Sequence, residues 1–190
     1  MAHVSIIGTG NMGQAISGIV TKGGNTVELL GHSDSGKPVT GEIVVLAVPY
    51  PALADVLAAH GDQLAGKVVL DITNPLDFQT FDSLTVPADS SAAAEIAASL
   101  PQSRVIKAFN TNFAATLASG TAGQVPTTVL IAGDDTQAKA LLGEVITAGG
   151  LRAIDAGALR RARELEALGF LQITLAAQQK MPWTSGFVAA

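Results

Sequence analysis

Gly8-Thr9-Gly10-Asn11-Met12-Gly13 follows directly on the apolar run Val4-Ser5-Ile6-Ile7 and opens into a helical pattern through Ala15-Ile16-Ser17-Gly18-Ile19-Val20. A strand that ends in Gly-x-Gly-x-x-Gly and turns into a helix is the fingerprint of a dinucleotide cradle. Each glycine has its own task. Gly8 permits the tight turn, Gly10 lets a pyrophosphate approach the backbone, and Gly13 lets the helix lie close on the strand. The unpaired N–H groups of the helix N-terminus then face the anion. Such a glycine triplet also arises in ordinary glycine-rich turns, so its weight comes from the strand before it and the helix after it.

Outward from that turn the chain alternates strands and helices. Gly23-Gly24 stops the first helix, and Thr26 to Leu30 forms a second strand. The connection from His32 to Glu42 is polar and rich in breakers, too short for the usual crossover helix, so the sheet is expected to be trimmed beyond strand two. Ile43 to Val48 is a continuous apolar run, the pattern of a strand buried on both faces. Pro51 suits the first turn of a helix over residues 52–59. Further strands are expected at 67–72, 104–109, 127–132 and 151–155. A loop over 76–89 is anchored by Phe78, Phe81, Leu84 and Val86, and Ser90 or Ser91 caps an alanine-rich helix to Leu100. Asp134 with Gln137 resembles a capping box for a helix through Ile146. A long final helix runs from Ala158 to Lys180, uncharged from Ala167 to Ala177. That apolar belt serves either core packing or a subunit interface; we expect a homodimer formed through it.

This alternation predicts an α/β fold with a doubly wound, mainly parallel Rossmann-type sheet. The 190 residues form a single domain, with residues 1–157 as the nucleotide-binding core and 158–190 as the C-terminal helix and tail. Composition is 48% hydrophobic and 14% charged, enough apolar material for a buried core. A formal net charge of −5 argues against nucleic-acid and anionic-membrane partners. There is no cysteine, which excludes disulfides and thiolate catalysis. No signal-peptide pattern precedes the first strand, and the longest apolar stretch is too short to span a bilayer, so a soluble cytoplasmic protein is expected.

In open α/β sheets the ligand lies beyond the carboxyl ends of the strands. The segments to weigh are therefore 8–13, 31–37, 49–50, 73–75 and 110–112. Sites that prefer NAD place a carboxylate at the end of strand two, but here that place holds Gly31-His32-Ser33. Glu28 falls within the strand and Asp34 in the loop beyond it. Ser33, a protonated His32 and Lys37 suit the 2′-phosphate of NADP; NAD stays a second choice. No acid–base catalyst stands out, no G-x-S-x-G occurs, and three scattered histidines supply no metal site. Lys107, inside a central strand, is read as reaching a strand end or a carboxylate, with a catalytic role as the alternative. Hydride transfer to a flavin-type ring needs alignment and exclusion of water more than a general acid.

The glycine turn, Ala47-Val48-Pro49-Tyr50, Lys107-Ala108-Phe109-Asn110-Thr111, Ala132-Gly133-Asp134-Asp135 and Asp155-Ala156-Gly157-Ala158-Leu159 stand in the order seen in F420-dependent NADP reductases, which this chain resembles over nearly its whole length. The Lys-Ala-Phe-Asn-Thr string is also similar to the cytosolic oxidoreductase domain of six-transmembrane metalloreductases. The resemblance implies hydride exchange between NADPH and a flavin or a deazaflavin such as F420. It implies that Thr9, Asn11 and Met12 contact the pyrophosphate, and that His32, Ser33 and Lys37 hold the 2′-phosphate. Val48, Pro49 and Tyr50 would wall the nicotinamide side with Asn74 and Pro75 close by, and Asn110 and Thr111 would face the hydride partner. The chain departs from the family in carrying His32-Ser33 where an arginine usually follows strand two.

Two other functions fit parts of this pattern. A dehydrogenase of the β-hydroxyacid or pyrroline-carboxylate reductase type shares the first half, but attaches a helical substrate domain for which the residues after Asp155 are too few. A non-catalytic NADP-binding sensor would also lack acid–base residues. Trp183 and Phe187 either cover the substrate pocket of the same or a neighbouring subunit, or pack on the surface.

Overall fold

Ile43–Leu46 is buried at every residue, and its side chains divide by parity between two core clusters. Ile43 and Val45 face one, Val44 and Leu46 the other. A strand with two buried faces requires helices on both sides of the sheet. The computed structural model describes residues 1–34, 36–187 and 189. In chain order its elements are β1 (His3–Ile7), α1 (Asn11–Lys22), β2 (Thr26–Leu30), β3 (Ile43–Leu46), α2 (Leu53–His60), β4 (Val68–Asp71), α3 (Ala92–Ser99), β5 (Arg104–Ala108) and α4 (Ala114–Ser119). There follow β6 (Thr121–Ala122), β7 (Val125–Pro126), β8 (Thr128–Gly133), α5 (Thr136–Ala148), β9 (Arg152–Gly157) and α6 (Ala162–Ala177).

Seven strands form the sheet in the order β2-β1-β3-β4-β5-β8-β9. The first five are parallel, β8 runs antiparallel to β5, and β9 parallel to β8. The fold class is the expected doubly wound, mainly parallel one. One face is filled by Ile16, Ile19 and Val20 of α1 and by Leu142, Val145 and Ile146 of α5. The other is filled by Leu53, Ile96 and Leu100 around α2 and α3. β2 is the edge strand, as the short connection before β3 requires. That connection is tied down by polar bonds instead of a helix: Gly41 N–H donates to Ser5 Oγ, Thr40 N–H to Glu28, and Val39 N–H to Gln63. Because β2 and β3 flank β1 on opposite sides, the chain reverses direction at β1, and α1 begins at that switch point.

Several expectations need correction. α5 is capped by Asp135, whose side chain accepts from Ala138 N–H, so Asp134 and Gln137 form no capping box. Asp134 accepts from Leu159 N–H instead. α6 is shorter than 158–180, because a 3-10 turn over Leu159–Arg161 precedes it. Between β5 and β8 stand α4 and a small hairpin that the sequence pattern does not announce, since α4 has only six residues and no side-chain cap. Phe78 is no anchor: half of its surface is exposed.

Candidate functional site

The glycine turn explains itself sterically. Gly8 has φ +119, and a Cβ there would sit 2.1 Å from the carbonyl oxygen of Ala47, the residue just past β3. A Cβ on Gly13 would sit 2.2 Å from the Gly8 carbonyl oxygen. Gly10 is different, since a Cβ there would meet nothing within 4 Å. Gly10 is also the N-cap of α1, which has no side-chain cap, so the first N–H groups of the helix stay available beside open space. Thr9 and Asn11 are exposed and Met12 half-buried at this mouth. The donors and the free space fit a pyrophosphate.

At the end of β2 the structure adds a group that the spacing places too far away. His32–Asp34 forms a 3-10 turn, and it folds the Asp34 carboxylate back onto the strand end to accept Gly31 N–H at 2.8 Å. The same carboxylate pairs with Lys37 at 2.8 Å. The bond from Lys37, then that from Gly31, holds the Asp34 carboxyl below its ordinary value; the pairing holds the Lys37 ammonium above its own. His32, Ser33 and Lys37 are thus together and exposed, but Lys37 is already engaged by a carboxylate.

Beyond the carboxyl ends of β4 and β5 lies a cavity of about 510 Å³. Asn11, Met12, Asn74 and Asn110 line it together with Ile72, Asn112 and Ile173. Phe78, Phe81, Phe113 and Trp183 supply aromatic walls. No side chain of this lining titrates. Two non-glycine residues adopt left-handed backbone here, Phe109 (φ 62) just before Asn110 and Phe81 (φ 54) in the wall. Such backbone persists only where surrounding contacts hold it.

The amides are fixed by one another and by α6. Asn74 Nδ2 donates to the Asn110 carbonyl at 2.8 Å, and Asn110 Nδ2 donates to Asn74 Oδ1 at 2.9 Å and to the Leu165 carbonyl at 2.8 Å. With Nδ2 committed to two acceptors, Asn110 Oδ1 is left without a protein partner. Asn112 repeats the pattern: its Nδ2 donates to the Thr128 carbonyl and its Oδ1 is unpaired. α6 approaches closely because residue 169 is glycine; a Cβ would lie 2.3 Å from Asn74 Oδ1.

Beneath the amides is a buried charge cluster. Lys107 Nζ lies 2.8 Å from Asp71 and 2.8 Å from Glu166, and it also donates to the Thr73 carbonyl. All three side chains are essentially unexposed. Asp71 accepts Thr73 N–H, so the peptide leading into Asn74 is held from both ends. Glu166 further accepts Ala92 N–H at 3.0 Å and Ala93 N–H at 3.3 Å, at the start of α3. Burial pushes the Glu166 carboxyl above its ordinary value against the pull of Lys107. Lys107 therefore pairs with carboxylates, the first of the two readings of the sequence.

Five other expected residues stand apart from the cavity. Thr111 is 4% exposed and does not line it; its neighbour Asn112 does. Val48 does not line the cavity, although a Cβ on Gly8 would lie 3.3 Å from its Cγ1, and neither Pro49 nor Tyr50 reaches the cavity wall. Tyr50 donates its hydroxyl to Glu95 of α3 at 2.6 Å; burial, then that carboxylate, pushes the phenol up to about 12. Pro75 is buried, its carbonyl accepting from Thr85. Among the described residues no group of His, Asp or Glu is arranged to hold a metal ion, and no helix is long and apolar enough to cross a membrane.

A helix N-terminus opening at the switch point beside a neutral, amide-floored cavity is the arrangement of a Rossmann-type dinucleotide-binding protein. No protein-family model matches the chain. It is 31% identical over 159 residues to the F420-dependent NADP reductase of Methanothermobacter thermautotrophicus, covering 80% of this chain and 68% of that protein. The chain belongs to the F420-dependent NADP reductase family, a family of NADP-dependent oxidoreductases. It is also 36% identical over 112 residues to the metalloreductase STEAP3 of Rattus norvegicus, covering 59% of this chain but only 22% of that protein. The fold matches, end to end, a crystal structure of an F420-dependent NADP-reductase candidate from Arthrobacter sp. FB24, with TM-score 0.86 and 24% identity.

Proposed function

We propose that this protein exchanges hydride between NADP(H), held along the glycine turn and the end of β2, and a flavin or deazaflavin ring seated in the 510 Å³ cavity. The observation that carries the reading is the lining: amides and aromatic rings with no titratable group. This lining holds no cation to pair with the carboxylate of a hydroxyacid or pyrroline-carboxylate substrate. A fused-ring acceptor needs flat apolar walls and a few fixed polar groups. The unpaired Asn110 Oδ1 and Asn112 Oδ1 suit N–H donors, which a nicotinamide carboxamide and a flavin-type ring both carry.

Bound NADPH would supply a hydride, two electrons together, to the acceptor ring, which is reduced and takes one proton from water. The chain's own part is alignment. Asn74 and Asn110, fixed by reciprocal bonds, floor the cavity, and Met12 and Ile72 exclude water beside them. In this reading Thr9, Asn11 and Met12 meet the pyrophosphate, and His32, Ser33 and Lys37 meet the 2′-phosphate. Val48, Pro49, Tyr50 and Pro75 back the nicotinamide side, and two copies pair through the outer face of α6, where Leu171 is half exposed. NADPH absorbance followed with F420, FMN or FAD in turn tests the function; no oxidation with any of them sinks it.

A further inference from the structure

Three consecutive residues of α6 hold the two aromatic rims of the cavity. Ile173 lines the cavity between them. Thr174 Oγ1 donates to the Phe81 carbonyl at 3.1 Å, fixing the loop in which Phe78 and Phe81 meet edge-on with centroids 5.8 Å apart. Gln172, 1% exposed, works in the opposite direction. Its Nε2 donates to the Thr111 carbonyl at 3.2 Å, and its Oε1 accepts Phe187 N–H at 2.9 Å. That bond fastens the C-terminal tail to the turn that carries Asn110 and Asn112. The tail in turn presents Trp183, whose ring packs on Phe113 with centroids 4.7 Å apart and a 58° tilt.

The result is an aromatic pair on each side of one cavity, with Phe78 and Trp183 each left 50% exposed. Exposed aromatic surface converging on a concave site marks a place where a partner ring is received. Both bonds of Gln172 end on main-chain groups, so they set where the tail runs whatever its side chains are. A tail that merely rested on the surface would need no buried glutamine, whose desolvation has to be offset by both bonds.

We propose that Trp183 is the outer wall that stacks on the acceptor ring, and that Gln172 and Thr174 are positioning residues setting the spacing of the two rims. This segment of α6 thereby selects for flat, conjugated ring systems, while phosphate or sugar substituents stay at the open mouth. The inference rests on the function proposed above and names what within the cavity discriminates among acceptors.

Riboflavin and F420 serve as probes with the full chain and saturating NADP⁺. Their ring emission is quenched when an indole stacks on it. Wild-type protein is expected to quench at least one probe. Trp183→Leu, at a half-exposed position that leaves the core intact, is expected to weaken binding about tenfold and abolish the contact quench. Gln172→Met keeps the side-chain shape and loses both bonds. It is expected to raise the acceptor KM several-fold with the NADPH KM unchanged, and to red-shift the emission of Trp183, the only tryptophan. Binding of neither probe, equal binding by wild type and Trp183→Leu, or a Gln172→Met effect shared equally by NADPH, would overturn the proposal. Stacking on Trp183 without NADPH oxidation would instead refute only the hydride reaction, and turnover indifferent to Trp183 would refute only this assignment.

Discussion

Replacing Lys107 by methionine tests whether the buried charges hold the floor of the site. Methionine keeps the length and flexibility of the side chain, so packing changes little. The ammonium, however, is the cation that both Asp71 and Glu166 face at 2.8 Å, with all three side chains at 0–1% exposure. Removing one partner of such a cluster leaves uncompensated buried charge, which costs about 3–5 kcal/mol. Against a total stability of about 5–15 kcal/mol that is a large share, and for a chain of this size it lowers Tm by roughly 6–20 °C. The loss has a pH signature. Burial already raises the Glu166 carboxyl above its unfolded value, so between the two values the native state holds more protons than the unfolded one. Stability from this group is therefore greatest below the unfolded pKa and falls as pH rises through the folded one. Without Lys107 the folded pKa moves further up, and the variant should recover part of its loss as pH is lowered from 8 to 5. Urea unfolding of both proteins at each pH measures this. A loss below about 1 kcal/mol at pH 8, or the same loss at both pH values, would refute the reasoning.

Two further substitutions separate the halves of the site. Gly169→Ala gains about 1 kcal/mol of helix propensity, yet its Cβ would sit 2.3 Å from Asn74 Oδ1 and 2.9 Å from the Asn110 carbonyl oxygen. Overpacking of that kind costs about 1–3 kcal/mol, and each displaced amide bond about 1 more, so the steric terms prevail. A net loss of about 1–3 kcal/mol in urea unfolding is expected, with a raised acceptor KM; a stabilised variant would show that α6 yields freely. Asp34→Asn frees Lys37 from its carboxylate and removes a negative charge from the end of β2. The NADPH-to-NADH ratio of kcat/KM should rise about two- to fivefold at low salt and less at high salt, where exposed charges are screened. An unchanged ratio would place the 2′-phosphate elsewhere.

Local rules carried the fold a long way. The glycine turn, the doubly buried strand expected over 43–48 and found at Ile43–Leu46, and the trimmed edge at β2 were all legible, because turn sterics, continuous apolar runs and connection length act between near neighbours. What escaped depends on distance in sequence. Glu166 meets Lys107 across 59 positions, and on a helix beside Glu164 and Arg163 it reads as one more solvated charge. Asp34 lies three residues past Gly31, and only the 3-10 turn brings its carboxylate back to the strand end. Asn112 replaces Thr111 at the cavity because the turn after Phe109, at φ 62, decides which neighbour points outward. Helix α4 escaped for another reason: six residues without a capping side chain leave no local signal.

Helix α6 shows why its role in the site was hard to read from pattern. Amphipathic helices usually bury their apolar stripe. Here the buried stripe includes Glu166, Gly169 and Gln172, three residues apart, and each meets a different partner: the Lys107 cluster, the Asn74–Asn110 pair, and the tail. Leu171, the residue an apolar stripe would bury, is 48% exposed. A stripe of charge, gap and amide binds less by area than by registry, since sliding it by one residue would leave Glu166 buried without Lys107 and drive a side chain into Asn74. Hydrophobic contact alone would tolerate such a slip. That registry fixes Ile173 and the two rims it separates relative to the amides below, which is the alignment the proposed hydride transfer would depend on.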